Sequence, residues 1–205
     1  FGYQPALEFA NQWTHPVWSE LMYLGYSSYF LLISVVVVYY FIWRYEEFNR
    51  TVFIILTSFF VYYVVFVVLP VTGPQYYYLA AGLDNISQGV FPNVGDYFLT
   101  HDEMMKMPGY EDGWFYQIMF NAHSAGERPT AAFPSSHVGV TVILLLLAWR
   151  SKSRPLIWFV FTLFLLMCLA TVYISAHYVI DVFGGLLSAV IMYTTLHYIC
   201  KYRRI

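Results

Sequence analysis

Long apolar runs dominate the sequence, and they restrict what this chain can fold into. Residues 17–43 hold a single charged residue, Glu20, and they exceed the roughly 20 apolar residues that a helix needs to cross a bilayer. A chain inside lipid must pair its own backbone N–H and C=O groups, so such runs form helices rather than open strands. Five runs of this kind, the third of them short, lie at residues 17–43, 51–69, 135–149, 156–173 and 178–200.

These runs predict an all-α fold, a polytopic membrane helix bundle with five spans, in which residues 1–205 form one domain. The composition agrees, because 60% of the residues are hydrophobic, only 11% are charged and 21% are aromatic. Aromatic residues are enriched where membrane helices meet the lipid head groups. The composition therefore excludes a soluble domain.

The basic residues are distributed unevenly between the two ends of the predicted spans. Lys106 and Arg128 fall on one side, whereas eight fall on the other: Arg44, Arg50, Arg150, Lys152, Arg154, Lys201, Arg203 and Arg204. By the positive-inside rule, the side with eight is cytoplasmic and holds the C-terminus. The long loop at residues 70–134 is then extracytoplasmic, in the periplasm or a lumen. Five spans would place Phe1 outside as well, so we expect a sixth helix upstream.

Two other stretches suit helices that lie at the membrane surface. Residues 1–16 are aromatic and mildly polar, which is typical of a short interfacial helix. Residues 113–121, within the long loop, carry apolar side chains at helical spacing. We expect an interfacial or re-entrant helix there, with an anchoring rather than a catalytic role.

The segment from Arg128 to His137 brings polar groups to the start of the third apolar run. Pro134 ends an extended stretch, and Ser135 is a suitable N-cap for the helix that follows. The free N–H groups of that first turn, with the helix dipole behind them, form a binding site for an anion. Together with Ser136 and His137 they indicate a phosphate site, although the same residues would also suit a plain helix cap.

A second group of polar residues precedes the fifth apolar run and favours the phosphate interpretation. Ser175 and His177 stand at the start of that run, and Asp181 follows His177 by four residues. This spacing predicts one shared helix face. An aspartate that accepts the proton-bearing nitrogen of a histidine leaves the other nitrogen free to attack or to take a proton. Both groups, and Arg128, fall at the predicted extracytoplasmic ends of the spans.

These residues, in this order, resemble the three-part signature of the type-two phosphatidic acid phosphatase superfamily. The resemblance covers residues 121–185. It implies a membrane enzyme that acts on a phospholipid or another lipid phosphate, with no metal and no other cofactor. We expect no nucleic-acid partner.

The resemblance also assigns roles to the residues of this chain. His177 corresponds to the nucleophile that becomes phosphohistidine, and Asp181 to the residue that orients it. Ser135 corresponds to a phosphate-binding residue, and His137 to the group that protonates the leaving group. Arg128 corresponds to the arginine that clamps the phosphate.

The chain departs from the family pattern at three positions. Asn121 and Thr171 stand where the family has a lysine and an arginine, and Ser136 replaces a glycine. We include Ser136 among the phosphate-binding residues. Two of the usual phosphate cations are therefore missing, unless Lys106 or His123 supplies charge from the loop.

The missing cations bear on the substrate. A phosphate diester carries one negative charge and a monoester near neutral pH carries close to two, so the diester is the better match. This favours head-group transfer between lipids over hydrolysis of a monoester or diphosphate. Residues 69–74 and 177–182 are also similar to the inositol phosphorylceramide synthase branch, and the second of these stretches is similar to sphingomyelin synthases.

Two other classes of protein fit parts of the pattern. His137, His177 and Asp181 form a possible two-histidine, one-carboxylate metal site, as in metal-dependent hydrolases. Intramembrane His and Asp residues also serve as proton relays in transporters. Relay residues are expected near mid-span, whereas these lie at helix ends.

Overall fold

The computed structural model describes residues 4–123 and 129–203, and its regular structure there is helical. The only β pairing among the described residues is an isolated bridge between Val71 and Ala131. The α-helices of the described part of the chain are α1 Pro5–Gln12, α2 Pro16–Trp43, α3 Phe48–Val68, α4 Pro74–Ala81, α5 Leu83–Ser87, α6 Trp114–His123, α7 Ser136–Ser151, α8 Arg154–Tyr173 and α9 Val179–Arg203. The predicted all-α fold is confirmed.

Four of the described helices are long and apolar enough to cross a membrane, namely α2, α3, α8 and α9. They cover the predicted runs to within a few residues at each end. The remaining run forms α7, which has 16 residues. Its start is set by the Ser135 cap and its end by Lys152, which adopts the left-handed conformation that often ends helices. That α7 is a fifth span stays a prediction.

The short helix α7 lies at the centre of the bundle. It contacts α2, α3, α8 and α9, and most of its side chains are buried. Close packing of the outer helices supports this arrangement. A Cβ atom on Gly25 of α2 would lie 2.8 Å from the backbone carbon of Leu166 in α8, so only glycine permits this approach. Glycine at this position therefore lets the backbones of α2 and α8 pack in direct contact.

The segment predicted as a long loop, residues 70–134, contains helices of its own. α4 and α5 follow α3, and α6 covers the helix predicted at residues 113–121. The carboxylate of Glu20 in α2 accepts hydrogen bonds from the backbone N–H groups of Phe115 and Tyr116, at 3.0 and 3.1 Å. A carboxylate at a helix N-terminus satisfies free N–H groups and complements the helix dipole. Glu20 thus fixes α6 to α2.

The basic turns lie at one end of the bundle. Arg44 and Arg150 both bind the carboxylate of Glu47, which joins the turn after α2 to the end of α7. Arg50 donates a hydrogen bond of 3.0 Å to the carbonyl of His197 near the end of α9. Arg44, Arg50 and Arg150, three of the basic residues that the sequence assigns to one side, therefore lie at the same end of the bundle.

Candidate active site

The start of α7 agrees with the predicted cap. The Ser135 hydroxyl accepts a hydrogen bond from the backbone N–H of Val138 at 3.4 Å. The backbone N–H of Ser135 in turn donates to the carbonyl of Asp181 at 3.0 Å. The two groups of polar residues that lie far apart in the sequence are therefore joined by a backbone hydrogen bond.

His177 lies in the tight turn between α8 and α9, and it is 4% exposed. Its backbone N–H donates to the carbonyl of Thr171 at 3.0 Å. Its ring atom Nδ1 lies 2.8 Å from the carbonyl oxygen of Ala132. A carbonyl oxygen can only accept a hydrogen bond, so Nδ1 carries the proton. In the neutral ring, Nε2 is then left with a free lone pair.

Asp181 lies close to His177 without being its hydrogen-bond partner. The distance from Asp181 Oδ2 to His177 Nδ1 is 3.6 Å, which is too long for a hydrogen bond. The same oxygen accepts the backbone N–H of Tyr178 at 2.8 Å and so caps the start of α9.

The sequence analysis predicted a hydrogen bond between the His177 ring and Asp181 on one helix face, and the structure differs for a physical reason. His177 precedes α9, which begins at Val179, so the spacing of four does not put His177 and Asp181 on one helix face. The carbonyl of Ala132, from the loop before α7, takes the position expected for the carboxylate. Nothing in the local sequence around His177 indicates this partner.

His137 lies on the first turn of α7, opposite His177. The centroids of the two rings are 6.1 Å apart. The His137 ring also packs on Tyr26 and Tyr29 of α2, with centroid distances of 4.5 and 4.6 Å. The sequence analysis missed both tyrosines. The available signal was the spacing of three residues within α2, which places both rings on one helix face.

A cavity of about 500 Å³ lies between the two histidines and the surface of the bundle. Ser136, His137 and His177 line it, whereas Ser135 does not. Its wall is mostly apolar and includes the exposed Phe30 of α2 and Tyr63 of α3. The cavity therefore extends from the histidines to the exposed surface between these two helices.

The segment between α3 and α4 forms another wall of this cavity. Ala132 donates a backbone hydrogen bond to Val71, and Gln75 donates one to Ser175. Gly73 packs so closely on the turn before His177 that a Cβ atom would lie 2.8 Å from the Ala176 carbonyl oxygen. Gln75 is 4% exposed and lines the cavity. It is a polar residue of the site that the sequence analysis did not identify.

Of the predicted sources of positive charge, only Lys106 has a side chain that the structure describes. Arg128 lies outside the described residues, as does the side chain of His123. Lys106 is exposed and pairs with Glu111, and this hydrogen bond raises the pKa of the lysine. Lys106 does not line the cavity.

Thr171 and Asn121 mark the positions of the family cations. Thr171 is fully buried, and its hydroxyl donates to the carbonyl of Cys168 at 3.1 Å. An arginine at this position would bury a guanidinium group. Asn121 is exposed on α6 and does not line the cavity.

Within residues 4–123 and 129–203, no cluster of three or more His, Cys, Asp or Glu side chains has a metal-binding arrangement.

Comparison with known proteins identifies the family. A family model described as the PAP2 superfamily, the type-two phosphatidic acid phosphatases, matches residues 3–195. No curated protein and no solved structure matches the chain. The family match covers nearly all of the sequence, including both histidines and Asp181. The chain belongs to the PAP2 superfamily, and it is accordingly an enzyme of the phosphatase and phosphotransferase type.

Proposed function

We propose that this protein is an integral-membrane enzyme that cleaves a lipid phosphoester through a phosphohistidine on His177. The placement of His177 carries the proposal. Its ring faces that of His137 with centroids 6.1 Å apart, and the Ala132 carbonyl holds its proton on Nδ1. The free Nε2 lone pair is the nucleophile, and the facing histidine supplies the proton that the leaving group needs.

The first step forms an N–P bond between His177 Nε2 and the phosphorus. The bond from phosphorus to the leaving oxygen breaks, and its electrons go to that oxygen while His137 donates a proton to it. Positive charge develops on the His177 ring as the N–P bond forms. The Ala132 carbonyl at 2.8 Å and the Asp181 carboxylate at 3.6 Å are placed to stabilise that charge.

The second step releases the phosphoryl group from His177. Water or the hydroxyl of a second lipid attacks the phosphorus, the N–P bond breaks, and His137 takes the proton of the attacking group. Binding of the phosphate oxygens falls to Arg128, Ser135 and Ser136, with backbone N–H groups at the start of α7. Of these side chains, Ser136 lines the cavity.

A lipid substrate is supported by the shape of the cavity. Its wall is mostly apolar, and it reaches the membrane-facing surface between α2 and α3. A phosphoester at the histidines could thus keep its acyl chain in the bilayer. The absence of family cations at Asn121 and Thr171 favours a diester and therefore transfer of a head group, as in the inositol phosphorylceramide synthase branch. Hydrolysis of a lipid monoester or diphosphate is the alternative.

The roles of the two histidines predict different mutant behaviour. His177→Ala should abolish turnover and covalent labelling by a phosphorus-labelled substrate, because the nucleophile is lost. His137→Ala should slow turnover of a lipid ester with an alkoxide leaving group by about 10²–10⁴-fold, the usual effect of losing a general acid. An aryl ester, whose leaving group needs no proton, should largely restore kcat/KM of His137→Ala only, because this constant reports the steps up to release of the leaving group and not the second step, in which His137 takes a proton. Equal restoration of both variants would contradict the assignment.

The position of Asp181 predicts that its substitution lowers the catalytic rate less than substitution of His177 does. Asn keeps an oxygen for the Tyr178 N–H, and Ala132 still fixes the tautomer of His177. Only the negative charge beside the ring is removed, and interactions with a charged group are worth about 1.5–3 kcal/mol. We therefore expect Asp181→Asn to lower kcat by about tenfold to a hundredfold with little change in KM. The variant Asp112→Asn, at an exposed position, serves as the control, and a rate near wild type for Asp181→Asn would exclude a role for the charge.

Product analysis tests transfer against hydrolysis. Purified enzyme is incubated with a labelled lipid diester or monoester, with and without a lipid alcohol as acceptor, and His177→Ala provides the blank. We expect the diester to react faster and its labelled head group to appear on the acceptor. Faster release of inorganic phosphate from the monoester would instead identify a lipid phosphatase.

The proposed orientation places the active site on the extracytoplasmic side and the C-terminus in the cytoplasm, following the distribution of basic residues. Asp96 and Arg154 are exposed positions on opposite sides of the predicted membrane. A membrane-impermeant thiol reagent added to intact cells or sealed vesicles should label Asp96→Cys only from outside and Arg154→Cys only from the cytoplasmic side. The reverse result would place the site on the cytoplasmic leaflet.

A further inference from the structure

Two buried tyrosines of α2 hold the ring of His137. Tyr26 and Tyr29 are 4% and 5% exposed, and both line the cavity. Tyr26 stacks on the imidazole with an angle of 30° between the ring planes, and Tyr29 is tilted by 52°. The contact joins α2 to the first turn of α7, so His137 receives its orientation partly from another helix.

The position of His137 makes such support necessary. It is the second residue of α7, whose cap is Ser135, and the positive end of a helix dipole disfavours a cation there. A group that protonates a leaving group must nevertheless carry its proton before the reaction. The faces of aromatic rings are electronegative and attract cations within about 6 Å of the ring centre. Both tyrosine rings lie within that distance of the His137 ring, as the centroid distances of 4.5 and 4.6 Å show.

We propose that Tyr26 and Tyr29 are positioning residues for His137. Their rings fix the plane of the imidazole toward His177 and stabilise its protonated form, which opposes the effect of the α7 N-terminus. Neither hydroxyl group is needed for this role, since the aromatic face makes the contact. This inference rests on the proposed role of His137 as the proton donor to the leaving group.

A purely structural role for the tyrosines makes a different prediction. Tyrosines that only fill space would, when truncated, lower the amount of folded enzyme and slow all substrates equally. Tyrosines that act through His137 affect only reactions in which the leaving group needs a proton. The ratio of kcat/KM for an aryl ester to kcat/KM for an alkyl lipid ester separates the two, because it reports only the steps up to release of the leaving group and does not depend on how much enzyme is folded.

The experiment measures that ratio for Tyr26→Leu, Tyr29→Leu and the matching Phe variants. Leu fills space without an aromatic face, so each Leu variant should raise the aryl-to-alkyl ratio by about fivefold to thirtyfold, as expected for one lost cation–ring contact. Each Phe variant should return the ratio most of the way to the wild-type value. His137→Ala, measured in parallel, gives the full effect of losing the proton donor.

Tyr40→Leu is the matched control. Tyr40 is a fully buried tyrosine farther along α2, and its hydroxyl donates to the carbonyl of Leu147. Its loss should lower stability and leave the ratio unchanged. If the ratio changes for His137→Ala but not for either Leu variant, the inference is overturned and the proposed function stands. If His137→Ala itself leaves the ratio unchanged, the assignment of the proton donor fails, and the inference fails with it.

Discussion

Near a membrane, backbone N–H and C=O groups outside helices need partners within the protein, because lipid offers none. Three non-helical segments, residues 71–73, 129–135 and 175–178, meet at one end of this bundle and, together with the first turn of α4, supply many of these partners to each other. Their mutual hydrogen bonds bring the loop before α7 against the turn before α9. The approach of His137 and His177 follows from this backbone pairing, and the cavity forms beside it.

The same pairing explains how one backbone carbonyl comes to hold the candidate nucleophile. Ala132 donates its N–H to Val71 and accepts from the ring of His177. Asp181 is thereby released to cap α9 while its charge stays 3.6 Å from Nδ1. The Ala132 carbonyl thus fixes the tautomer of His177, and the Asp181 carboxylate is placed to stabilise its positive charge. A substitution at Asp181 can remove the charge without changing which nitrogen of His177 is protonated.

Much of this architecture could be predicted from the sequence, because local rules determine it. Apolar run length predicts the long helices, and the Ser135 side chain forms the cap expected of a serine at a helix start. The candidate histidines were predicted as well, and the structure brings them together. Contacts between distant segments could not be predicted: the Ala132 carbonyl and the stacking of Tyr26 on His137 depend on how helices and loops pack. The expected hydrogen bond between Asp181 and the His177 ring is not formed. His177 lies outside α9, and helix spacing applies only to residues inside one helix.

The length of α7 has a consequence for where chemistry takes place. Its 16 residues rise by about 24 Å, less than the roughly 30 Å of hydrocarbon in a typical bilayer. If α7 is the predicted fifth span and Arg150 lies at one head-group boundary, the opposite end, which carries Ser136 and His137, would fall several ångströms below the other boundary. The histidines would then meet the phosphoester slightly inside the leaflet. A lipid would reach them by sinking its head group a short way, whereas an attacking water molecule would have to leave the bulk solvent.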